Sequence, residues 1–348
     1  MKAITVIPMT GGSAALDEIA EPPGPADGVL VETLAIGVCG TDIEILDGRY
    51  GEPPPGGERL VIGHESLGRV IDPRGSELST GDHVVGIVRR PDPVPCSCCA
   101  RGAWDMCLNG RFTERGIKGL HGFASERFLI EPEFVVKVDP ALGIAAALLE
   151  PASILAKAWR RIEHLISECS PPAKVLVTGA GPIGLLAALL GVQKGLEVHV
   201  LDRVEEGPKP ELVRDLGARY HTSTPAEACP DADITLECTG APALLFEVIE
   251  NSSRNGVVCL TGVSSPGREE SVDAGSINRD IVLENDIVFG SVNASRGDYV
   301  AAAGALGKAD GDWLDRVVTR RIPLERWAEA YEARDGDVKT VLVFAKAT

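Results

Sequence analysis

Lys174-Val175-Leu176-Val177-Thr178-Gly179-Ala180-Gly181-Pro182-Ile183-Gly184 is the stretch whose reading decides the fold. It opens as a short apolar strand and runs directly into a loop of the form G-x-G-x-x-G. Leu185 to Val192 continues as an apolar helix. Glu197-Val198-His199-Val200-Leu201 is a second strand, ending in Asp202. Strand, glycine loop, helix, strand and acid, in that order, make a dinucleotide-binding unit. Gly179 permits the tight turn, Gly181 lets the backbone approach a pyrophosphate, and Gly184 lets helix and strand pack closely. Pro182 and Ile183 complete the loop. The helix that follows offers free N–H groups and a partial positive charge to the phosphates.

Outward from this unit the alternation continues. Asp233–Cys238, Val257–Thr261 and Ile287–Ser291 read as strands, and a helix near 243–249 separates the first two. Alternating β and α elements predict a parallel, doubly wound sheet. Toward the N-terminus, a helix is expected from Pro151 through Trp159. Residues 1 to about 90 are β-rich, with a turn at 22–28 and a surface loop at 52–58. Beyond about residue 294 the α/β pattern ends, leaving a helix near 298–309 and a closing strand at 340–344.

The first part of the chain carries the reactive side chains. Cys39-Gly40-Thr41-Asp42 and Gly63-His64-Glu65 offer a thiolate, an imidazole and a carboxylate, and Glu150 stands beside Pro151. Zinc takes sulfur, nitrogen and oxygen ligands in a tetrahedron, and a catalytic zinc keeps one position open. Cys39, His64 and Glu150 would leave such a position. A lone buried Cys or His is more often an ordinary core residue, so the case rests on their company. Between Cys96 and Cys107 lie four thiols, Cys96, Cys98, Cys99 and Cys107, the composition of a closed structural zinc site. Cys98 and Cys99 are adjacent, which makes joint ligation awkward, and free thiols in a degenerate lobe are the alternative. Cys169, Cys229, Cys238 and Cys259 are dispersed, and core packing is the role expected of them. Glu114 sits among glycines in a loop, either returning to a site or simply solvated.

Composition bounds the rest. The 348 residues suffice for two domains with a large core, and 44% of them are apolar. A net charge of −17 argues against nucleic acid and against an anionic membrane surface as partners. No apolar run appears long enough for the roughly 18 residues a membrane span needs. Met1–Ile7 reads as a first strand rather than as a signal peptide, so the cytoplasm is the expected compartment. In a reducing compartment, clustered cysteines suggest metal more than disulfides.

Taken together, the order of elements resembles the zinc-dependent medium-chain dehydrogenase/reductase superfamily over nearly the whole chain. Gly37-Val38-Cys39-Gly40-Thr41-Asp42, Gly63-His64-Glu65-Ser66-Leu67-Gly68, the cysteine lobe and the glycine loop carry that likeness. Within it the chain is most similar to the archaeal-type glucose (aldose) 1-dehydrogenases. The closer likeness rests on Val88-Arg89-Arg90-Pro91, Phe112–Ile117 with His121-Gly122-Phe123, Leu149-Glu150-Pro151 and Gly290-Ser291-Val292-Asn293. The resemblance implies an α/β protein in two parts. A GroES-like, β-rich catalytic domain spans 1–150 and 295–348, and a Rossmann domain spans 151–294. It implies a catalytic zinc at Cys39, His64 and Glu150, with Glu65 as a second carboxylate able to approach the metal. Glu114, Asn293 and Glu150 match positions that hold sugar hydroxyls, and Thr41 matches the hydroxyl that begins a proton path.

The implied reaction is oxidation of an aldopyranose such as D-glucose at C1 to the aldonolactone. Rival readings are a polyol, amino-alcohol or pathway-specific sugar dehydrogenase of the same fold, and a zinc- and nucleotide-binding protein without turnover. Similar enzymes that prefer NADP place two arginines after the second strand, where this chain has Asp202-Arg203-Val204. Asp202 should accept from the ribose 2′-hydroxyl and repel a 2′-phosphate, with Arg203 offsetting part of that. NAD is therefore the expected cofactor, with some NADP use. The lobe departs from the usual spacing, with Pro93 at the first ligand position and Cys98 as an extra thiol. The superfamily further implies a homo-oligomer, a dimer or a tetramer.

Overall fold

The computed structural model of the chain describes residues 1–22, 28–166, 173–265, 267 and 269–344. Most of the expected turn at 22–28, and Cys169, lie outside the described residues. The chain divides into two units, Met1–Ser153 with Asn293–Thr348, and Ile154–Val292. The first boundary falls inside the helix Leu149–Leu165 rather than at its start.

In the first unit a long sheet is built around the strand Val29–Gly37. Its far half is buried on both faces, which suits the run Leu34-Ala35-Ile36. It pairs antiparallel with Glu65–Asp72 on one side and with Thr340–Val343 on the other. Gly37 is opposite Glu65 in one register and opposite Val341 in the other. This register brings three distant pieces of chain, near residues 39, 65 and 340, to one end of the sheet. Gly37 itself must lack a Cβ, because that atom would collide with the Glu65 carboxylate and the Lys339 side chain. A smaller sheet pairs Arg89–Arg90 antiparallel with Thr113–Arg115, setting Arg89 opposite Glu114.

The second unit is a six-stranded parallel sheet. In spatial order its strands are Arg219–His221, Glu197–Leu201, Lys174–Thr178, Ala232–Glu237, Ser252–Leu260 and Ile287–Gly290. Numbered along the chain this is the order 3-2-1-4-5-6 of a doubly wound sheet, as the alternation of elements predicts. Strand Arg219–His221 and helices Pro208–Asp215 and Ala274–Glu284 were not legible in advance. They are short or carry no continuous apolar stripe. Under the sheet, Leu176, Leu201, Ala232, Val248 and Val258 pack with the buried Cys229. Cys259 is also fully buried, whereas Cys238 is half-buried at the end of its strand.

The helical segment Pro140–Leu165 is an exception to the membrane expectation, being 26 residues long and apolar enough to cross a bilayer. Two-thirds of its most apolar window is buried inside the protein. Trp159 on this segment is almost fully buried and donates to the Ala187 carbonyl at 3.3 Å. It is a core element.

Candidate functional site

Three ligand atoms converge at the end of the first unit's sheet. Cys39 is the N-cap of the short helix Gly40–Leu46. Its N–H donates to Asp42 Oδ2 at 3.0 Å, which ties the cap to the first turn. The other oxygen of Asp42 lies 3.3 Å from His64 Nδ1. His64 follows Gly63, whose φ of +84° turns the chain into the strand Glu65–Asp72. The opposite ring nitrogen, Nε2, is 3.0 Å from Cys39 Sγ. One ligand atom each from Cys39, His64 and Glu65 lies within 4.8 Å of the other two. Burial acts to discharge the imidazole, but the Cys39 and Asp42 charges outweigh it and hold His64 well above the ordinary histidine range.

This donor set fits zinc. It offers sulfur, nitrogen and oxygen, and a carboxylate oxygen stands 3.3 Å behind the far nitrogen of the imidazole, where metal-bound histidines commonly have one. Asp42 is therefore a positioning residue that the sequence motif contained but did not explain. Glu65 is paired with Lys339 Nζ, and both are almost fully buried. Glu150 is buried too, and is not among the three atoms that converge. Burial pushes its carboxyl up to about 7, with Glu65 and Glu114 adding to the shift and His64 and Lys339 opposing it. Thr41 occupies the first turn of the Gly40–Leu46 helix and is half-buried.

A second cluster surrounds Glu114. Arg89 Nε and Nη2 both donate to Glu114 Oε1, at 3.0 and 2.9 Å. Asn293 Nδ2 donates to the same oxygen at 2.9 Å, across 179 residues of sequence. Asn293 has a φ of +59°, and its Oδ1 accepts from the Ala294 N–H at 2.9 Å, so the amide is held in one orientation. The Arg89 guanidinium lies 3.7 Å from the centre of the Phe112 ring and donates to the Asp105 carbonyl. Glu114 Oε2 takes no hydrogen bond from the described residues. The charges of Glu114 in this cluster and of His64 and Glu65 in the first both act on the buried Glu150 carboxyl. Arg89 stood in the sequence only as part of the Val88–Pro91 likeness and Lys339 not at all, because the role of each is set by a partner elsewhere along the chain.

The second unit holds a cleft of about 520 Å³ lined by Gly179, Gly181, Asp202, Arg203, Lys209 and Thr239, among others. Gly179 has a φ of +87°, and a Cβ on Gly184 would collide with the Gly179 carbonyl. Pro182, Ile183 and Gly184 form the first turn of the helix Pro182–Gln193 behind the loop, with Gly181 as its N-cap. Asp202 Oδ2 accepts from the Ala180 N–H at 2.6 Å, and Oδ1 from the Val204 N–H at 3.1 Å. Lys209 Nζ stands 3.3 Å from Oδ2. Burial raises the Asp202 pKa, but these donors outweigh it and hold the carboxyl below its usual range. On the other side of the loop, Glu237 accepts from the Thr239 N–H at 2.7 Å and the Gly240 N–H at 3.1 Å. Cys238 lines the cleft rather than the core.

In the lobe, Cys96, Cys99 and Cys107 bring their sulfurs within 4.8 Å of one another. Cys98 stays outside this group, against the four-thiol expectation. It caps the turn Cys99–Arg101, and its carbonyl accepts from the Arg101 and Ala103 N–H groups. The Cys99 and Leu108 N–H groups point at Cys96 Sγ and pull that thiol down to about 6. Burial pushes the Cys99 thiol up to about 11.

Known proteins resemble this chain over nearly its whole length. Residues 144–344 match the family described as glucose dehydrogenase C-terminus, and residues 25–140 match the alcohol dehydrogenase GroES-like domain. Glucose 1-dehydrogenase of Thermoproteus tenax is 38% identical over 98% of this chain and 99% of its own. That of Methanocella arvoryzae is 37% identical over the same shares. Among solved structures, glucose dehydrogenase of Haloferax mediterranei in complex with NADP, Zn and gluconolactone superposes with a TM-score of 0.91. It is 33% identical and covers 99% of each chain. Galactitol-1-phosphate dehydrogenase from Escherichia coli, at 22% identity and a TM-score of 0.81, shares the fold.

Proposed function

This chain belongs to the glucose 1-dehydrogenase branch of the zinc-dependent medium-chain dehydrogenases, and on that premise we propose that it oxidises an aldopyranose such as D-glucose at C1 to the aldonolactone, with NAD or NADP as hydride acceptor. The observation that carries the reading is the convergence of Cys39, His64 and Glu65 in one unit with the Glu114–Asn293 pair.

Cys39 Sγ, His64 Nε2 and a carboxylate from Glu65 or Glu150 would hold the zinc. When bound, zinc supplies a Lewis acid that lowers the pKa of the anomeric hydroxyl, and the nicotinamide supplies the hydride acceptor. Asp42 keeps His64 in the tautomer whose Nε2 lone pair is free to ligate. Lys339 balances the Glu65 charge where little water reaches. Glu114 Oε2, left open while Oε1 takes three donors, accepts from a sugar hydroxyl. The Asn293 amide and the Arg89 guanidinium fix that carboxylate, so the hydroxyl is aligned before reaction. The Thr41 hydroxyl begins the proton path: it would accept the proton of the anomeric hydroxyl as it donates its own onward, toward the cofactor ribose. Gly179, Gly181 and the helix that begins at Pro182 hold the pyrophosphate, with Asp202 and Arg203 at the adenosine ribose. Cys96, Cys99 and Cys107 would hold a second, structural zinc.

A second copy of the chain is the expected partner. Strand Ile287–Gly290 is the outer strand of its sheet, and beside it in sequence the helix Ala274–Glu284 buries no residue fully. A strand edge left open in this way invites pairing with another chain. The eight described cysteines are all free thiols, which supports a reducing compartment, the cytoplasm.

The test is initial rates with glucose, galactose, xylose and sorbitol, each with NAD and NADP, before and after chelation and zinc restoration. Aldose turnover lost on chelation and regained with zinc is the expected result. Activity on sorbitol alone would remove the sugar C1 assignment while leaving the metal chemistry in place.

A further inference from the structure

The dinucleotide cleft contains a lysine that neither the glycine-loop motif nor the family comparison assigns. Lys209 lines the cleft together with Asp202 and Arg203. Its Nζ is 3.3 Å from Asp202 Oδ2, the oxygen that also accepts from the Ala180 N–H. The other Asp202 oxygen accepts from the Val204 N–H. Both oxygens are thus committed to backbone, one of them in the glycine loop. The loop after Asp202 is fixed in turn, since Tyr220 donates its hydroxyl to the Val204 carbonyl and the Asp202 N–H donates to the His221 carbonyl. The acid expected at the ribose therefore also clamps the glycine loop to the segment that follows it.

Lys209 is placed against the local electrostatics. It lies in the first turn of the helix Pro208–Asp215, after the N-cap Gly207. A first turn carries partial positive charge and favours acids over lysine. The Asp202 pair offsets that cost, and an anion in the cleft would offset it further. The Lys209 side chain is 20% exposed and the Asp202 side chain 8%. A group entering the cleft therefore has readier access to the ammonium than to the carboxylate.

We propose that Lys209 is the residue that sets which nicotinamide dinucleotide the cleft accepts. It turns from Asp202 to the 2′-phosphate of NADP, with the Arg203 guanidinium alongside. With NAD it stays on Asp202, and the ribose 2′-hydroxyl meets an already neutralised pair. The cleft then takes both cofactors, and the repulsion between Asp202 and a 2′-phosphate expected from sequence is cancelled by Lys209.

This rests on the proposed dinucleotide site, so binding is measured directly and not through turnover. NADH and NADPH are titrated by fluorescence against the wild type, Lys209→Met, Lys209→Arg and Arg203→Ala, each at low and high salt. Lys209→Met is expected to lose about tenfold more affinity for NADPH than for NADH, with a shallower salt dependence for NADPH. Lys209→Arg should recover most of the loss. Equal losses for both cofactors would overturn the proposal, leaving Lys209 as a support for Asp202 and the glycine loop. NADPH affinity unchanged in Lys209→Met would overturn it as well. A wild type that binds neither cofactor would remove the dinucleotide reading itself, an outcome distinct from either.

Discussion

At the scale of single residues, the site depends on charges held out of water by specific partners. Glu65 and Lys339 are buried to within a few per cent of completely. Burial acts to discharge Lys339, but the Glu65 and Cys39 charges outweigh it and raise its pKa. Removing one member of such a pair leaves the other buried and uncompensated. Lys339→Met is therefore expected to cost about 3–5 kcal/mol of unfolding free energy, measured by chemical denaturation. A loss below about 1 kcal/mol would mean the pair behaves as an exposed one. Asn293 permits a cleaner test of substrate alignment. Its φ of +59° is strained for most side chains, so Asn293→Gly relieves the backbone while deleting the amide. The expected outcome is an aldose KM raised about tenfold, the value of one or two hydrogen bonds, with little change in melting temperature. His64, Cys39 and Glu150 were legible as ligand types from their motifs. The Glu65–Lys339 pair was not, because nothing local marks a lysine 274 residues away as its counter-ion.

At the scale of elements, the outer strand Arg219–His221 joins the sheet through histidine as well as backbone. His199 Nδ1 lies 2.7 Å from the Ala228 carbonyl and 3.0 Å from His221 Nε2, and the two rings stack with centroids 5.0 Å apart. Two protonated rings cannot occupy that arrangement cheaply. Burial lowers the His221 pKa, and the His199 and Arg219 charges lower it further. A histidine whose folded pKa is depressed binds its proton more readily when unfolded. Its contribution is therefore complete above the ordinary pKa of about 6.5 and declines as pH falls below it. Melting temperature measured from pH 8 to pH 5 should drop below about 6.5 in the wild type, and less steeply in His221→Asn. Parallel slopes would assign the acid sensitivity to other groups. This short strand escaped the sequence reading because Arg219-Tyr220-His221 has neither length nor apolar alternation. Strands such as Lys174–Thr178, buried on both faces, were legible as apolar runs.

At the scale of the whole molecule, the second copy proposed above would meet the outer strand Ile287–Gly290 and the exposed Val282 and Leu283 on the preceding helix. Sedimentation should give a multiple of 36.6 kDa for the wild type and a shift toward that mass for Leu283→Asp. A wild-type monomer would remove the second copy from the account. The sequence by itself determined the doubly wound unit. Its strand, glycine loop, helix and acid are contiguous, and their spacing and periodicity are local properties of the chain. It likewise determined which residue types stand ready for zinc. Tertiary structure alone decided which of those groups meet. Register across Gly37 sets Glu65 against Lys339, and the folded unit sets Glu114 against Asn293. The turn at Cys98 leaves three thiols converging where four were expected, and Lys209 stands over Asp202 where the motif showed a bare acid. Such contacts join residues through the geometry of paired strands and turns, and local pattern carries no record of that geometry.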